Sequence, residues 1–162
     1  MSRPAVLFVC LGNICRSPLA EAAFRAEAER IGLNVEVDSA GTGGWHVGHA
    51  PDRRAQAVAR RYGVDISGYK GRQVQAEDFR RFTHIVAQDA DNLSDLMRIR
   101  PDDATAELSL MLDHAGRTGQ SVADPYYGDD EGFEVTWSDV TTAARGLARR
   151  VERMLRTGGP GD

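Results

Sequence analysis

One short apolar run near the start of the chain constrains the fold most. Residues 5–9 read AVLFV without polar alternation, which is typical of a strand buried on both faces of a parallel sheet. The loop CLGNICR follows, and helical signals extend over residues 17–31. Ser17 suits the N-cap, Pro18 suits the first turn and Gly32 suits the stop. We expect a buried strand that ends in a loop and leads into a helix.

Segments with strand patterns and segments with helix patterns continue to alternate along the rest of the chain. In the last helical segment, Phe133, Trp137 and Val140 begin an apolar pattern that recurs every three or four residues. Strands that alternate with helices favour a parallel sheet covered on both faces. The sequence therefore predicts a single-domain, three-layer α/β fold with a four-stranded parallel sheet and helices on both faces. Beyond the first strand and helix, the predicted strands are 34–39, 82–88 and 107–112, and the predicted helices are 51–62, 90–100 and 133–154.

Composition excludes several classes of protein. A length of 162 residues suits one domain, and a formal net charge of -4 gives no electrostatic reason to expect nucleic acid as a partner. No stretch approaches the roughly 18 apolar residues of a membrane span, and the N-terminus lacks a secretory pattern. We expect a cytoplasmic protein, with a monomer favoured. Its domain is expected at residues 1–157, and a disordered tail at 158–162.

The loop between the first strand and the first helix has the composition of an anion site. Backbone N–H groups at a helix start converge on phosphate oxygens, and Gly12 and Asn13 permit the tight backbone that this needs. Arg16 adds a planar guanidinium that matches two phosphate oxygens. Cys10 lies in the same loop, where these charges and a bond from the Ser17 hydroxyl favour a thiolate. The pattern predicts a phosphate-binding loop whose thiol attacks phosphorus and forms a phosphocysteine.

Departure of an alcohol from phosphorus also needs a proton donor. The segment ADPYYGDD, residues 123–130, supplies Asp124, and Pro125 would keep this loop extended and stiff. Asp-Pro alone is typical of a simple turn, and the adjacent Tyr126 and Tyr127 are equally compatible with packing. In combination with the cysteine loop, we interpret Asp124 as the general acid.

The segments VCLGNICRSP and DPYYGD together resemble the low-molecular-weight protein tyrosine phosphatase family. The resemblance extends over residues 6–155 and includes DSAGTGGWHVG and EDFRRFTHIVAQDADNLSDL. It implies hydrolysis of phosphotyrosine in proteins, and of small aryl phosphates, without a metal or another cofactor. By this resemblance Cys10 is the nucleophile and Arg16 binds the phosphoryl group. Asp124 protonates the leaving phenol and then activates water.

The resemblance also implies a binding loop and a substrate rim around these three residues. Trp45, Tyr126 and Tyr127 would line the entrance to the cleft, where aromatic faces hold a phenyl ring. Cys15 would be a redox partner that forms a reversible disulfide with Cys10, although packing beneath the loop is an open alternative for it. The phosphate-binding loop would comprise, besides Cys10 and Arg16, the residues Leu11, Gly12, Asn13, Ile14, Cys15 and Ser17.

One position departs from the family pattern. Many relatives carry a histidine that hydrogen-bonds the loop asparagine and serine, whereas this chain reads SGYKGRQ, with Gly68 or Tyr69 at the expected place. Two outcomes are open: the support of Asn13 is rewired, for example through the Tyr69 hydroxyl, or it is absent. Four other side chains are interpreted as surface, structural or supporting residues: His46, His84, Asp52 and Asp89.

Three other functions are open from the sequence. An arsenate reductase shares the Cys-x5-Arg loop, but it would need cysteines beyond Cys10 and Cys15. A protein-arginine phosphatase would carry Thr where Ile14 stands and would lack the double tyrosine. A phosphate-binding module without turnover would lose the thiol or the acid. The expected partner is a phosphotyrosine-containing protein: an autophosphorylated bacterial tyrosine kinase, or a host protein if the enzyme is exported. No nucleic acid or membrane partner is expected.

Overall fold

The computed structural model describes residues 3–156, and it contains the predicted four-stranded parallel sheet. The strands are β1 (Ala5–Cys10), β2 (Glu36–Gly41), β3 (His84–Ala87) and β4 (Glu107–Leu110). They lie in the order β2–β1–β3–β4, and every adjacent pair is parallel. The helices are α1 (Arg16–Ile31), α2 (Arg53–Arg61), α3 (Asp78–Arg81), α4 (Ala90–Ile99) and α5 (Asp130–Arg156), with a 3-10 helix at Met111–Ala115.

Helices cover both faces of the sheet, which confirms the predicted three layers. On one face, Val6 and Phe8 of β1 share a core with buried residues of α1, α2 and α5. On the other face, Leu7 and Val9 share a second core with Leu96 of α4. β1 is therefore central and buried on both faces, which explains why its sequence lacks polar alternation.

The start of α1 differs from the sequence prediction. Cys15, and not Ser17, occupies the N-cap position, and no side chain caps this end of the helix. Ser17 is fully buried in the first turn, and its hydroxyl oxygen lies 3.0 Å from the Cys10 sulfur. The hydroxyl therefore serves the loop rather than the helix end. The predicted stop is confirmed, because Gly32 adopts the left-handed region with φ of 71°.

Element ends elsewhere shift by a few residues. The third strand is restricted to 84–87 within the predicted 82–88, because Phe82 ends the short helix α3. The predicted strand at 107–112 stops at Leu110, where the 3-10 helix begins. Neither short helix was predicted, since elements of four or five residues are too short to show a helical period.

The described part of the chain, residues 3–156, contains no helix that is both long and apolar enough to cross a membrane. Its 27-residue helix α5 carries charged side chains from its first turn to its last. The predicted tail at 158–162 lies outside the described residues.

Candidate active site

The Cys10 thiol lies where β1 ends and the loop towards α1 begins. Its sulfur is 3.0 Å from the Ser17 hydroxyl oxygen and 3.3 Å from the backbone nitrogen of Asn13, which donates to it. Asn13 adopts φ of 58°, the one positive φ among the described non-glycine residues. This confirms the left-handed turn expected from asparagine, and the turn aims the Asn13 N–H at the sulfur. Both contacts suit a sulfur that bears negative charge.

The Asn13 side chain is the centre of a buried hydrogen-bond network. Its amide nitrogen donates to the Ser17 hydroxyl at 2.8 Å and to the Ser39 hydroxyl at 3.0 Å. Its amide oxygen accepts from the backbone N–H of Arg72 at 3.0 Å. Because the Ser17 oxygen already accepts from Asn13, its own proton is free to point at the Cys10 sulfur.

This network decides between the two outcomes left open for Asn13: its support is rewired, and the route does not pass through Tyr69. Asn13 is fully supported, but by Ser39 and by the main chain of Arg72 rather than by the Tyr69 hydroxyl. Burial is the main cause that raises the pKa of Tyr69 to about 12, and the nearby Glu21 raises it further. The sequence did not single out Ser39, because an isolated serine in a strand carries no local signal for such a role.

Glu21 of α1 extends the network away from the thiol. Its carboxylate accepts from the Ser39 hydroxyl at 2.7 Å and from Arg25 at 2.8 Å. Burial raises the pKa of Glu21, while the bonds from Ser39 and the charge of Arg25 act in the opposite direction. A hydrogen-bonded series therefore joins Arg25, Glu21, Ser39, Asn13 and Ser17 behind the phosphate-binding loop.

The Arg16 side chain is almost fully buried, and carboxylates and a backbone carbonyl hold it in place. Its Nη1 donates to Asp89 at 2.7 Å and to the Val122 carbonyl at 3.0 Å, and its Nη2 lies 3.6 Å from Asp124. Burial alone would lower the pKa of Arg16, but Cys10 and Asp89 outweigh burial and raise it. Asp89 also caps α4, which confirms a supporting role.

One cleft brings the predicted site residues together. It has a volume of about 290 Å³, and the Asp124 carboxyl on its wall is 41% exposed. Asn13 and Ser17 do not line the cleft but lie behind the loop and support it. The lining residues are Cys10, Leu11, Gly12, Ile14, Cys15, Arg16, Trp45, His46, Asp124, Tyr126 and Tyr127.

Aromatic side chains form the outer part of this cleft. Trp45 is 69% exposed and Tyr127 is 92% exposed, and the Tyr126 and Tyr127 rings meet edge to face at 4.9 Å between centroids. His46 also lines the cleft, as a partly exposed side chain, and it takes no part in the hydrogen bonds that support Asn13. A Cβ at Gly12 would stand 3.0 Å from the His46 ring, so glycine there leaves room for the imidazole.

The remaining sequence predictions concern supporting groups. His84 is buried in β3, where its Nδ1 is 2.9 Å from the Thr83 hydroxyl, so its structural role is confirmed. Asp52 caps α2 by accepting from the Arg54 N–H at 2.8 Å.

Cys10 and Cys15 are both free thiols. Within residues 3–156, no cluster of His, Cys, Asp or Glu is arranged to hold a metal ion.

A thiol, an arginine and a carboxyl group around one anion cleft, on a four-stranded parallel sheet, define a cysteine-dependent phosphatase. Comparison with known proteins agrees with this class. The family model for "Low molecular weight phosphotyrosine protein phosphatase" matches residues 5–157. The chain belongs to the low molecular weight phosphotyrosine protein phosphatase family.

Individual relatives cover nearly the whole chain. The low molecular weight protein-tyrosine-phosphatase of Streptomyces coelicolor is 45% identical over 156 residues, which cover 93% of this chain and 94% of that protein. The crystal structure of YfkJ from Bacillus subtilis has a TM-score of 0.87 at 38% identity and covers 94% of this chain and 97% of that one. A drosophila arginine phosphatase has a TM-score of 0.85 at 31% identity, with 91% and 97% covered. The fold alone therefore does not decide the phosphorylated residue.

Proposed function

We propose that Cys10, Arg16 and Asp124 carry out the reaction of this family, which is hydrolysis of phosphotyrosine in proteins. The Cys10 thiolate attacks phosphorus, a phosphorus–sulfur bond forms and the bond to the tyrosine oxygen breaks. Asp124 donates its proton to the departing oxygen. A water molecule then attacks the phosphocysteine while the Asp124 carboxylate takes a proton from it, and phosphate and the thiolate are released.

Positive charge for the transition state comes from two sources in this proposal. The Arg16 guanidinium pairs with two phosphoryl oxygens, and backbone N–H groups of residues 11–17 bind the others. Leu11, Gly12, Ile14 and Cys15 contribute through their main chain. Ser17 and Asn13 hold the sulfur and the loop in place. The observation that carries the proposal is that the Cys10 sulfur, Arg16 and Asp124 share one cleft, with the sulfur 3.0 Å from the Ser17 hydroxyl oxygen.

The cleft entrance favours an aryl phosphate. Trp45, Tyr126 and Tyr127 present ring faces and edges that would hold the phenyl ring of phosphotyrosine, and the flat His46 ring adds to the wall. A phosphoserine side chain is too short to fill this rim while its phosphate reaches Cys10. We expect rates to follow that difference in fit.

Three further assignments accompany the proposed activity. Cys15 acts as the redox partner of Cys10. The catalytic domain spans residues 1–157, in agreement with the family match at 5–157.

The protein works in the cytoplasm as a monomer, on a substrate such as an autophosphorylated bacterial tyrosine kinase. Loss of phosphotyrosine from such a kinase, on incubation with the wild type but not with a Cys10→Ser variant, would support that choice of substrate.

Phosphate release tests the proposed reaction. The wild type and Cys10→Ser would be compared on a phosphotyrosine peptide, a phosphoserine peptide and phosphoarginine, all in the presence of a metal chelator. We expect rapid release by the wild type from phosphotyrosine alone, and a loss of more than about 1,000-fold in Cys10→Ser with the fold intact by circular dichroism. Steady turnover by Cys10→Ser would refute the nucleophile.

A protein-arginine phosphatase is the second candidate, because the drosophila arginine phosphatase has the same fold. Faster release from phosphoarginine than from phosphotyrosine would establish it in place of the first. Tight phosphate binding without release from any substrate would instead identify a binding module.

A further inference from the structure

The segment that carries Asp124 has little packing of its own. Of residues 122–129, only Val122 and Pro125 are buried. The Asp124 side chain is 41% exposed. A general acid must stay within hydrogen-bond reach of the oxygen that it protonates, and small displacements are costly. A loop with so few buried residues needs polar contacts to hold that position.

Arg54, in the first turn of α2, supplies such contacts. Its Nη1 donates to the Gly128 carbonyl at 3.0 Å, and its Nη2 donates to the Tyr126 carbonyl at 2.9 Å. Its guanidinium carbon lies 4.6 Å from the centre of the Phe133 ring, and this cation–π contact adds to the hold on the group. The Tyr126 N–H in turn donates to Asp124 Oδ1 at 3.1 Å. Arg54 is therefore linked to the general acid through a single intervening residue.

The other edge of the guanidinium is fixed by Asp52. Nε and Nη2 of Arg54 each donate to one carboxylate oxygen of Asp52 at 3.1 Å. The backbone N–H of Asp52 donates to the Ile14 carbonyl of the phosphate-binding loop at 2.9 Å. Burial alone would raise the pKa of Asp52, but the hydrogen bonds and charge of Arg54 outweigh it and hold that pKa below its usual value. Asp52 and Arg54 thus connect the loop of Cys10 to the loop of Asp124.

We propose that Arg54 is a positioning residue: it holds the stretch from Tyr126 to Gly128 so that Asp124 stays in reach of the leaving-group oxygen. This inference rests on the proposed role of Asp124 as the general acid. Arg54 does not itself line the catalytic cleft. Four of the five guanidinium N–H groups are used in these contacts, and a lysine ammonium offers three donors without a planar fork. Lysine should therefore not replace Arg54.

The test measures kcat/KM for a series of aryl phosphates whose phenols differ in acidity. A poor leaving group needs the proton from Asp124, whereas a good one such as para-nitrophenol does not. We expect Arg54→Ala and Arg54→Lys to lower kcat/KM for phenyl phosphate about 10-fold or more. The loss for para-nitrophenyl phosphate should stay below about threefold.

A double-mutant cycle separates positioning from a general structural role. In an Asp124→Ala background, Arg54→Ala should change kcat/KM for phenyl phosphate by less than about twofold, because the group that it positions is gone. Arg61→Ala is the matched control, since Arg61 also joins α2 to α5, through Glu134 at 2.7 Å, but among the described residues it makes no hydrogen bond or ion pair to the loop of Asp124. It should leave the dependence on leaving group as in the wild type.

Each outcome is informative. An equal loss for good and poor leaving groups, or an undiminished loss in the Asp124→Ala background, would overturn the role of Arg54. If Asp124→Ala itself shows no dependence on leaving group, the assignment of the acid fails first. If Asp124→Ala shows it and Arg54→Ala does not, only the positioning role is wrong. Thermal unfolding of each variant identifies any loss of kcat/KM that arises from a destabilised fold.

Discussion

The two cysteines of the phosphate-binding loop occupy different environments. Cys10 contacts the Ser17 hydroxyl and the Asn13 amide, whereas Cys15 packs in the apolar core beneath the loop. Burial is the largest effect that raises the pKa of Cys15, and the charges of Asp52 and Cys10 raise it further. Cys15 is therefore a protonated thiol at neutral pH. We therefore expect Cys10, rather than Cys15, to react first with phosphorus or with an oxidant.

The proposed disulfide between Cys10 and Cys15 predicts that replacing Cys15 changes how much activity is recovered after oxidation. Peroxide would oxidise Cys10 to a sulfenic acid, and attack by Cys15 would release water and form the disulfide. Dithiothreitol should then restore most of the activity of the oxidised wild type. In Cys15→Ser it should restore less than about a tenth of the activity before peroxide, because the sulfenic acid of Cys10 is oxidised further. Activity after peroxide and then dithiothreitol is the readout. Equal recovery in both proteins would mean that Cys15 only packs under the loop.

Helix α5 lies close to the 3-10 helix at Gly146, a residue that has no side chain. A Cβ at Gly146 would overlap the carbonyl oxygen of His114. Glycine normally weakens a helix interior, but here it allows α5 to lie against the segment that follows β4. The same helix contributes Leu147 and Val151 to the core shared with α1, so its position affects the packing of the whole face.

Gly146→Ala should therefore destabilise the protein. Overpacking costs about 1–3 kcal/mol, and a Cβ that overlaps backbone belongs to the upper part of this range, because backbone cannot move aside as a flexible side chain can. The cost therefore exceeds the gain of about 1 kcal/mol that alanine brings to a helix. We expect the free energy of unfolding in urea to fall by about 1–2 kcal/mol. Gly68→Ala is the control, because no atom lies within 4 Å of its added Cβ and its φ is not positive. An unchanged stability in Gly146→Ala would contradict the close approach.

Two histidines near one edge of the sheet make the stability of the molecule depend on pH: His84 is buried and His114 is half-buried. Burial is the main cause that lowers the pKa values of both His84 and His114 from 6.5, and Arg150 lowers them further, while Glu107 acts in the opposite direction. The unfolded chain therefore binds protons at a higher pH than the folded chain does. The contribution of these two histidines to the free energy of unfolding is fully present above about pH 6.5 and is lost as the pH falls towards their folded-state pKa values.

Urea unfolding between about pH 7.5 and pH 5.5 tests this linkage, because ordinary carboxyl groups titrate mainly below that range. The free energy of unfolding of the wild type should decrease on acidification. The decrease should be smaller in His114→Gln, which removes one of the two groups. His49→Gln is the control, since His49 is exposed in a loop. A slope in His114→Gln as steep as that of the wild type would contradict the linkage.

Interactions between neighbours along the chain were enough to predict much of this protein. The strand–loop–helix at residues 5–31, the left-handed Asn13 and the stop at Gly32 follow from local backbone preferences and from burial of an apolar run. The alternation of strands and helices was enough for the parallel sheet. The two motifs around Cys10 and Asp124 were enough for the family.

Contacts between distant segments could not be predicted from the sequence, because short-range preferences do not specify which groups meet across the fold. Arg16 bonds a carbonyl 106 positions away, and Asn13 bonds the main chain 59 positions away, at Arg72. The same holds for Arg54, which bonds a carbonyl 74 positions away in the loop of Asp124. A loop backbone can accept such bonds through its carbonyl groups, or donate them through its N–H groups, whatever its side chains are, so no residue type marks the partner in advance. Packing of helices on the sheet brings these groups together, and the site depends on it.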